Sequence, residues 1–218
     1  MLRQIVPLCL TFLCFFVCAS VHAEIQSYAS AEETPEEVRH LPAPTIPVMS
    51  VKIGEFHDRG SVLTMDIPST NTPFVQQHLR NGDTVFINNQ FANYYKTPLA
   101  LAMLLTHFFP ACDAASKTAD QCLDEIAAGF LDNIMTSAKL QEKELQRNES
   151  LLQNGSPARR LTIRSLVNGR EIITDTLFLS FKDDIWGIQL MYDTSDPIIP
   201  CHAASLLSTV TISKSEEK

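Results

Sequence analysis

Residues 157–192 constrain the fold more than any other stretch of this chain. From 160 to 167 the sequence alternates at period two. Leu161, Ile163, Ser165 and Val167 fall on one side, and Arg160, Thr162 and Arg164 on the other. That pattern marks a half-buried strand. Asn168-Gly169 follows at once. Both residues tolerate positive φ, as a type I′ turn requires, so the pair predicts a hairpin. The next run, 171–181, places Ile173, Leu177, Leu179 and Phe181 on one face, with Thr174, Thr176 and Ser180 on the other. Lys182-Asp183-Asp184 supplies turn formers. Residues 185–192 return with Trp186, Ile188, Leu190 and Tyr192 on a common face and Gln189 on the opposite one. The three strands form an antiparallel meander, expected to be apolar on one face and solvated on the other. Its apolar face needs a helical cover, so the fold class read here is α+β.

The N-terminus reads as a targeting segment rather than as part of that fold. Arg3 precedes an apolar run over 5–21, which ends at Val21-His22-Ala23. This is the pattern of a secretory signal peptide cleaved after Ala23. Two competing readings are an uncleaved anchor and a lipoprotein acylated at Cys18; the bulky Val17 before that cysteine speaks against the second. Residues 24–47 combine Glu32, Glu33, Glu36 and Glu37 with a cluster of prolines. They lack apolar periodicity and read as an acidic, Pro-rich linker. A single α+β domain is expected over 48–213, followed by a charged tail at 214–218. The formal net charge of −8, without a basic stripe, argues against nucleic-acid partners and anionic membrane surfaces. Once the signal is removed, no stable membrane span is expected.

Between linker and meander, residues 48–53 and 61–67 alternate in matching fashion and predict a hairpin joined by His57-Asp58-Arg59-Gly60. Thr72-Pro73 suits the N-cap and first position of a short helix ending at Asn81-Gly82. A brief strand is expected at 84–87. Thr97-Pro98 repeats the helix-start device before 99–109, an almost wholly apolar run too short to cross a membrane. It predicts a central helix buried against the sheet, with His107 at its end. Thr118-x-x-Gln121 fits a capping box and opens an amphipathic helix through Leu123, Ile126, Phe130 and Ile134. The charged end of that helix, 139–147, is expected to project into solvent. Asn154-Gly155-Ser156-Pro157 turns the chain into the meander, and 202–210 predicts a closing helix.

Chemistry-bearing motifs are sparse. Export implies an oxidising compartment, and Cys112, Cys122 and Cys201 are the cysteines left after the leader. A local Cys112–Cys122 bridge would stabilise by roughly 2–3 kcal/mol and leave Cys201 over; a Cys112–Cys201 bridge is the alternative. His107, Cys112, Cys201 and His202 lack any metal-ligand spacing, so no metal or other cofactor is expected. No G-x-S-x-G elbow, H-E-x-x-H motif or glycine-rich phosphate loop occurs. The polar, aromatic loop around 88–96 is the candidate contact surface, through Phe91, Asn93, Tyr94 and Tyr95.

The order of elements resembles the PsbP-like α/β/α sandwich, a superfamily that includes an extrinsic photosystem II subunit, Ran-binding relatives and bacterial proteins. The likeness rests on Asn154-Gly155-Ser156-Pro157-Ala158 entering the meander, on the strand 186–192, and on the tail 203–212. A cystatin- or NTF-like cone is the other architecture the pattern allows. The resemblance implies an exported, non-catalytic accessory or binding protein of the cell envelope, and it places no functional residue on this chain. An alternative is a carrier holding a small apolar ligand between the 99–109 helix and the sheet. An enzyme using His57 or His202 is the third reading.

Overall fold

A computed structural model describes residues 50–69, 74–88, 101–108, 117–167, 169–181 and 184–214. The leader, the linker, the contact loop with Phe91, Asn93, Tyr94 and Tyr95, and Cys112 all lie outside the described residues. The elements run β1 (Val51–Asp58), β2 (Ser61–Pro68), β3 (Phe74–His78), β4 (Thr84–Asn88), β5 (Leu101–Phe108), α1 (Ala119–Thr136), β6 (Gln141–Gln153), β7 (Ser156–Val167), β8 (Arg170–Phe181), β9 (Asp184–Asp193), α2 (Ile198–Ser208) and β10 (Thr211–Lys214). They make a three-stranded sheet, β1-β2-β10, and a seven-stranded sheet, β3-β4-β5-β9-β8-β7-β6. All pairings are antiparallel. The fold is α+β and contains the expected C-terminal meander, β7-β8-β9.

The register fixes the two faces of the large sheet. Leu177 pairs with Ile188, and Leu179 with Trp186. Trp186 in turn pairs with His107, and Leu190 with Met103. This face packs against Phe56, Leu63, Met65 and Ile67 of the small sheet and Ile199, Ala203, Leu206 and Leu207 of α2. The face assignment of Trp186, Ile188, Leu190, Ile173, Leu177 and Leu179 therefore holds. The cover is a second sheet with α2, not a 99–109 helix.

Four expectations need correction. Residues 101–108 are strand β5 at the middle of the large sheet. A continuous apolar run fits a strand covered on both faces as well as it fits a buried helix, and periodicity cannot separate them. A ligand held between a helix at 99–109 and the sheet is excluded with it. Residues 74–78 are strand β3, and Gly82, with φ +99°, sits in the β3–β4 turn rather than at a helix end. The helix capped by Thr118 ends at Thr136, and Gln141–Gln153 forms the outer strand β6. Pairing with β7 along almost its whole length outweighs the helical propensity of its Glu, Lys and Gln residues. Finally, the meander is not solvated on one side. Leu161, Ile163, Phe178 and Ile185 on its second face pack against Cys122, Leu123, Ile126, Phe130 and Ile134 of α1. Gln189 lies on this face too, and it is buried.

The closing helix starts earlier than expected, at Ile198, and is followed by β10, which adds to β2. The tip of the β6–β7 hairpin ties this end down. Asn154, in the left-handed region at φ +49°, donates from Nδ2 to the Val210 carbonyl at 2.7 Å. Gln153 Nε2 reaches the Leu207 and Ser208 carbonyls at 3.2 and 3.0 Å. The Gln153 bonds satisfy carbonyls that the end of α2 leaves without partners. The Asn154 bond holds Val210, between α2 and β10.

Candidate functional site: a buried histidine between two sheets

The most distinctive polar cluster joins the small sheet to the large one. Asp58 ends β1, just before the turn at Arg59 (φ +47°) and Gly60 (φ +82°). Ser61 begins β2. His107 sits in β5 between Thr84 of β4 and Trp186 of β9. An imidazole placed there has no water to bond, so its nitrogens need protein partners. His107 is 0% exposed. Its Nδ1 lies 2.6 Å from Asp58 Oδ2, and its Nε2 lies 3.4 Å from Asp184 Oδ1. Its ring stacks on Trp186 with centroids 4.6 Å apart and planes 18° from parallel. Trp186 Nε1 donates to Ser61 Oγ at 2.9 Å, and Ser61 Oγ donates to the Asp58 carbonyl at 3.3 Å. Phe86 stacks beyond the indole at 5.7 Å.

Chemically this cluster links the two sheets. The Ser61 hydroxyl bonds the indole and a backbone carbonyl, not the imidazole, so no nucleophile–base pair forms. Among the described residues, no group of His, Cys, Asp and Glu is arranged to hold a metal ion. His107 does not cap a helix end, as its place in the sequence suggested; it lies inside a strand. The other residues named from sequence are not gathered here. His57 is exposed on β1, 3.6 Å from Glu55. His202 is half-buried on α2, where its Nδ1 has no hydrogen-bond partner. Cys201 is an exposed free thiol on the same helix, and Cys122 is buried on α1.

A second ionic group stays within the large sheet. Arg160 of β7 forks onto Asp175 of β8, Nε to Oδ1 at 3.0 Å and Nη2 to Oδ2 at 2.6 Å, and Thr162 Oγ1 adds a bond at 3.2 Å. Both arginine nitrogens match both carboxylate oxygens, the strongest form of such a pair. Burial, with the Asp175 charge nearby, pushes the Tyr192 hydroxyl up to about 12. Farther out, the hydrogen bond from Arg164, and then that from Thr194, hold the Glu171 carboxyl below the ordinary range. On the opposite face Arg159 bonds Asp124 of α1 and lowers its carboxyl likewise.

The outer strands complete the surface. β6 carries exposed Leu145 and Leu152 among charged residues. Two register shifts and Glu142 at φ +45° break its regularity. Charges and bulges are how an edge resists pairing with another strand. On β1, Val51 and Ile53 are exposed.

Sequence reasoning missed Asp58, read as a loop residue, and Asp184, read as a turn former. One signal was available: a histidine inside an unbroken apolar run must find a partner if that run is buried.

No protein-family model matches the chain, and no curated protein matches it in sequence. Solved structures of similar fold do exist. Cyanobacterial PsbP from Synechocystis is 12% identical, with 80% of this chain and 99% of that one covered and a TM-score of 0.45. The Saccharomyces cerevisiae Ran-binding protein Mog1p is 11% identical over 75% of this chain and 96% of its own, at a TM-score of 0.43. LpqN of Mycobacterium tuberculosis, a protein involved in cell envelope biogenesis, is 15% identical over 78% and 87%, at 0.37. The likeness to PsbP-like proteins is thus one of fold.

Proposed function

We propose that the chain is an exported, non-catalytic accessory protein of the cell envelope that works by binding a protein partner. One observation carries the reading: what is sealed inside differs in kind from what is presented outside. Groups with acid–base chemistry, His107, Asp58 and Asp175, are buried and bonded to one another or to neighbouring strands. The outer strands present apolar side chains instead, Ile53 at 71% and Leu152 at 74% exposure. Apolar groups ringed by polar ones are what partner surfaces offer. The loop residues Phe91, Asn93, Tyr94 and Tyr95 extend the proposed contact on sequence grounds alone. A photo-crosslinker placed at 53, 94 or 152 in the full chain, expressed in its native envelope, should give a discrete adduct. A crosslinker at the buried position 177 should give none. Silence at all three outer positions, or equal labelling at 177, overturns the reading.

Export and oxidation belong to the same proposal. The mature N-terminus is expected at Glu24, and N-terminal sequencing that returned Met1 would point to an anchored chain. The proposed bridge is Cys112–Cys122, with the Cys201 thiol free. Peptide mapping under non-reducing conditions checks it, and a Cys112–Cys201 crosslink refutes it.

A further inference from the structure

His107 faces a carboxylate at each ring nitrogen, and a neutral imidazole can donate from only one of them. The imidazolium form donates from both. We infer that Asp58, His107 and Asp184 form a proton-gated latch. With the proton on, β5 holds both the end of β1 and the start of β9. With the proton off, the charge that attracts Asp184 across 3.4 Å is gone while Nδ1 can still donate to Asp58, and the start of β9 loosens.

The neighbourhood fits a device set by one proton. Asp58, its side chain 5% exposed, comes from the small sheet, and Asp184, at 20%, from the turn into β9. Among the described residues, charged groups near this end include Arg59, beside Asp58, and Lys214, opposite Ser61 in β10. Thr84, next to His107 in β4, is bonded to His78 at 2.9 Å. Ser61 of β2, bonded to the Trp186 indole, and Leu179 of β8, paired with Trp186, carry no charge. Trp186, the only tryptophan in the chain, stacks on the imidazole and is a built-in reporter. A cation held against an indole face is attracted to it, and an imidazolium there quenches indole emission.

The test is a titration of the mature chain between about pH 5 and 8, the range in which histidine exchanges its proton. It is read by the ring nitrogen resonances of His107, by Trp186 emission and by amide exchange. Both nitrogens should carry protons at the acid end and one at the alkaline end, with Trp186 emission rising along the same curve. Amides flanking Asp184 should then exchange roughly tenfold faster beyond the intrinsic pH effect, as loss of a contact with a charged group implies. Asp184→Asn removes the outer carboxylate and should move the curve to lower pH, because an anion favouring the imidazolium is gone. His107→Gln should abolish the emission step. If His107 does not change state across the range, the proposal is overturned. It also fails if the emission step survives in His107→Gln, if the curve is unmoved in Asp184→Asn, or if exchange near Asp184 stays constant.

Discussion

The two faces of the seven-stranded sheet are buried by different means. On the Trp186 face, a second sheet and α2 close over rows of Leu, Ile, Met and aromatic side chains. On that face Asp175 is bonded by Arg160 and Thr162. His107 Nδ1 lies 2.6 Å from Asp58, while His107 Nε2 has a charge contact with Asp184 at 3.4 Å rather than a hydrogen bond. On the other face α1 packs on an apolar patch built round Phe178, which meets Phe108 and Phe130 at 6.1 and 5.4 Å. Beside that patch the same face buries Ser165, Thr174, Thr176 and Gln189. The hydroxyls of Ser165 and Thr176 have no hydrogen-bond partner. Burial alone is not specification. The first face is determined by shape and by a paired carboxylate, Asp175, whereas the second carries hydroxyls that packing does not need. Substitutions should therefore cost most on the first face and least, or even less than nothing, on the second.

The largest effect is expected at Trp186, which is fully buried. Trp186→Ala removes the indole, its bond to Ser61 and its stacking on His107, and should cost about 3–5 kcal/mol. For a domain of this size that lowers Tm by roughly 10 °C or more. A variant melting like the parent would mean that this face is not the better-specified one.

Next comes Gly187, one residue along β9 and on the other face. A Cβ there would lie 3.0 Å from Phe108 Cε2 and 3.1 Å from Phe178 Cε1. Gly187→Ala should cost about 1–3 kcal/mol through overpacking of the aromatic group. Chemical denaturation measures it, and an unchanged midpoint would show that the α1 side yields more readily than its ring contacts imply.

A smaller effect is expected where α1 begins. Thr118 Oγ1 accepts from the Gln121 backbone at 3.3 Å, and Gln121 Oε1 accepts from the Thr118 backbone at 2.9 Å. Thr118→Ala should cost about 1 kcal/mol, seen as faster amide exchange in the first turn of α1. A loss spread equally over β1 and β2 would instead couple α1 to both faces.

The same contrast explains what could be read in the chain. The meander was legible because its strands are bounded by turn formers and alternate on the Trp186 face. That pattern also placed Trp186, Ile188 and Leu190 correctly. β5 was not legible, because a strand covered on both sides loses its alternation. β6 was hidden by its charges, although Asn154-Gly155 stands between it and β7 as a two-residue hairpin turn would. In sequence the same pair reads as an entry to the meander. The histidine cluster left no spacing signal: Asp58 and His107 are 49 residues apart and meet only once two sheets are stacked. The polar residues of the second face misled in the opposite direction, since Thr174, Thr176 and Gln189 look like a wet face.

Thr176 offers the finest test of that second face. Its side chain is fully buried and its Oγ1 has no hydrogen-bond partner. It stands opposite Leu161 on one side and Gln189 on the other. A buried hydroxyl without a partner gives up its bonds to water and gains none in return. Thr176→Val keeps the branched shape and the strand preference and replaces the hydroxyl by a methyl of similar size. The expected result is a gain of about 1 kcal/mol or slightly less, read as a raised denaturation midpoint with an unchanged slope. Thr162→Val is the matched control on the Trp186 side, where the hydroxyl does have a partner, Asp175, at 3.2 Å. There the same change should lower stability by a similar amount. Opposite signs from one chemical substitution, made on neighbouring strands of one sheet, would establish the difference between the two faces. A loss at Thr176 would mean that its hydroxyl is bonded in solution, and the contrast drawn between the two faces would fail at that position.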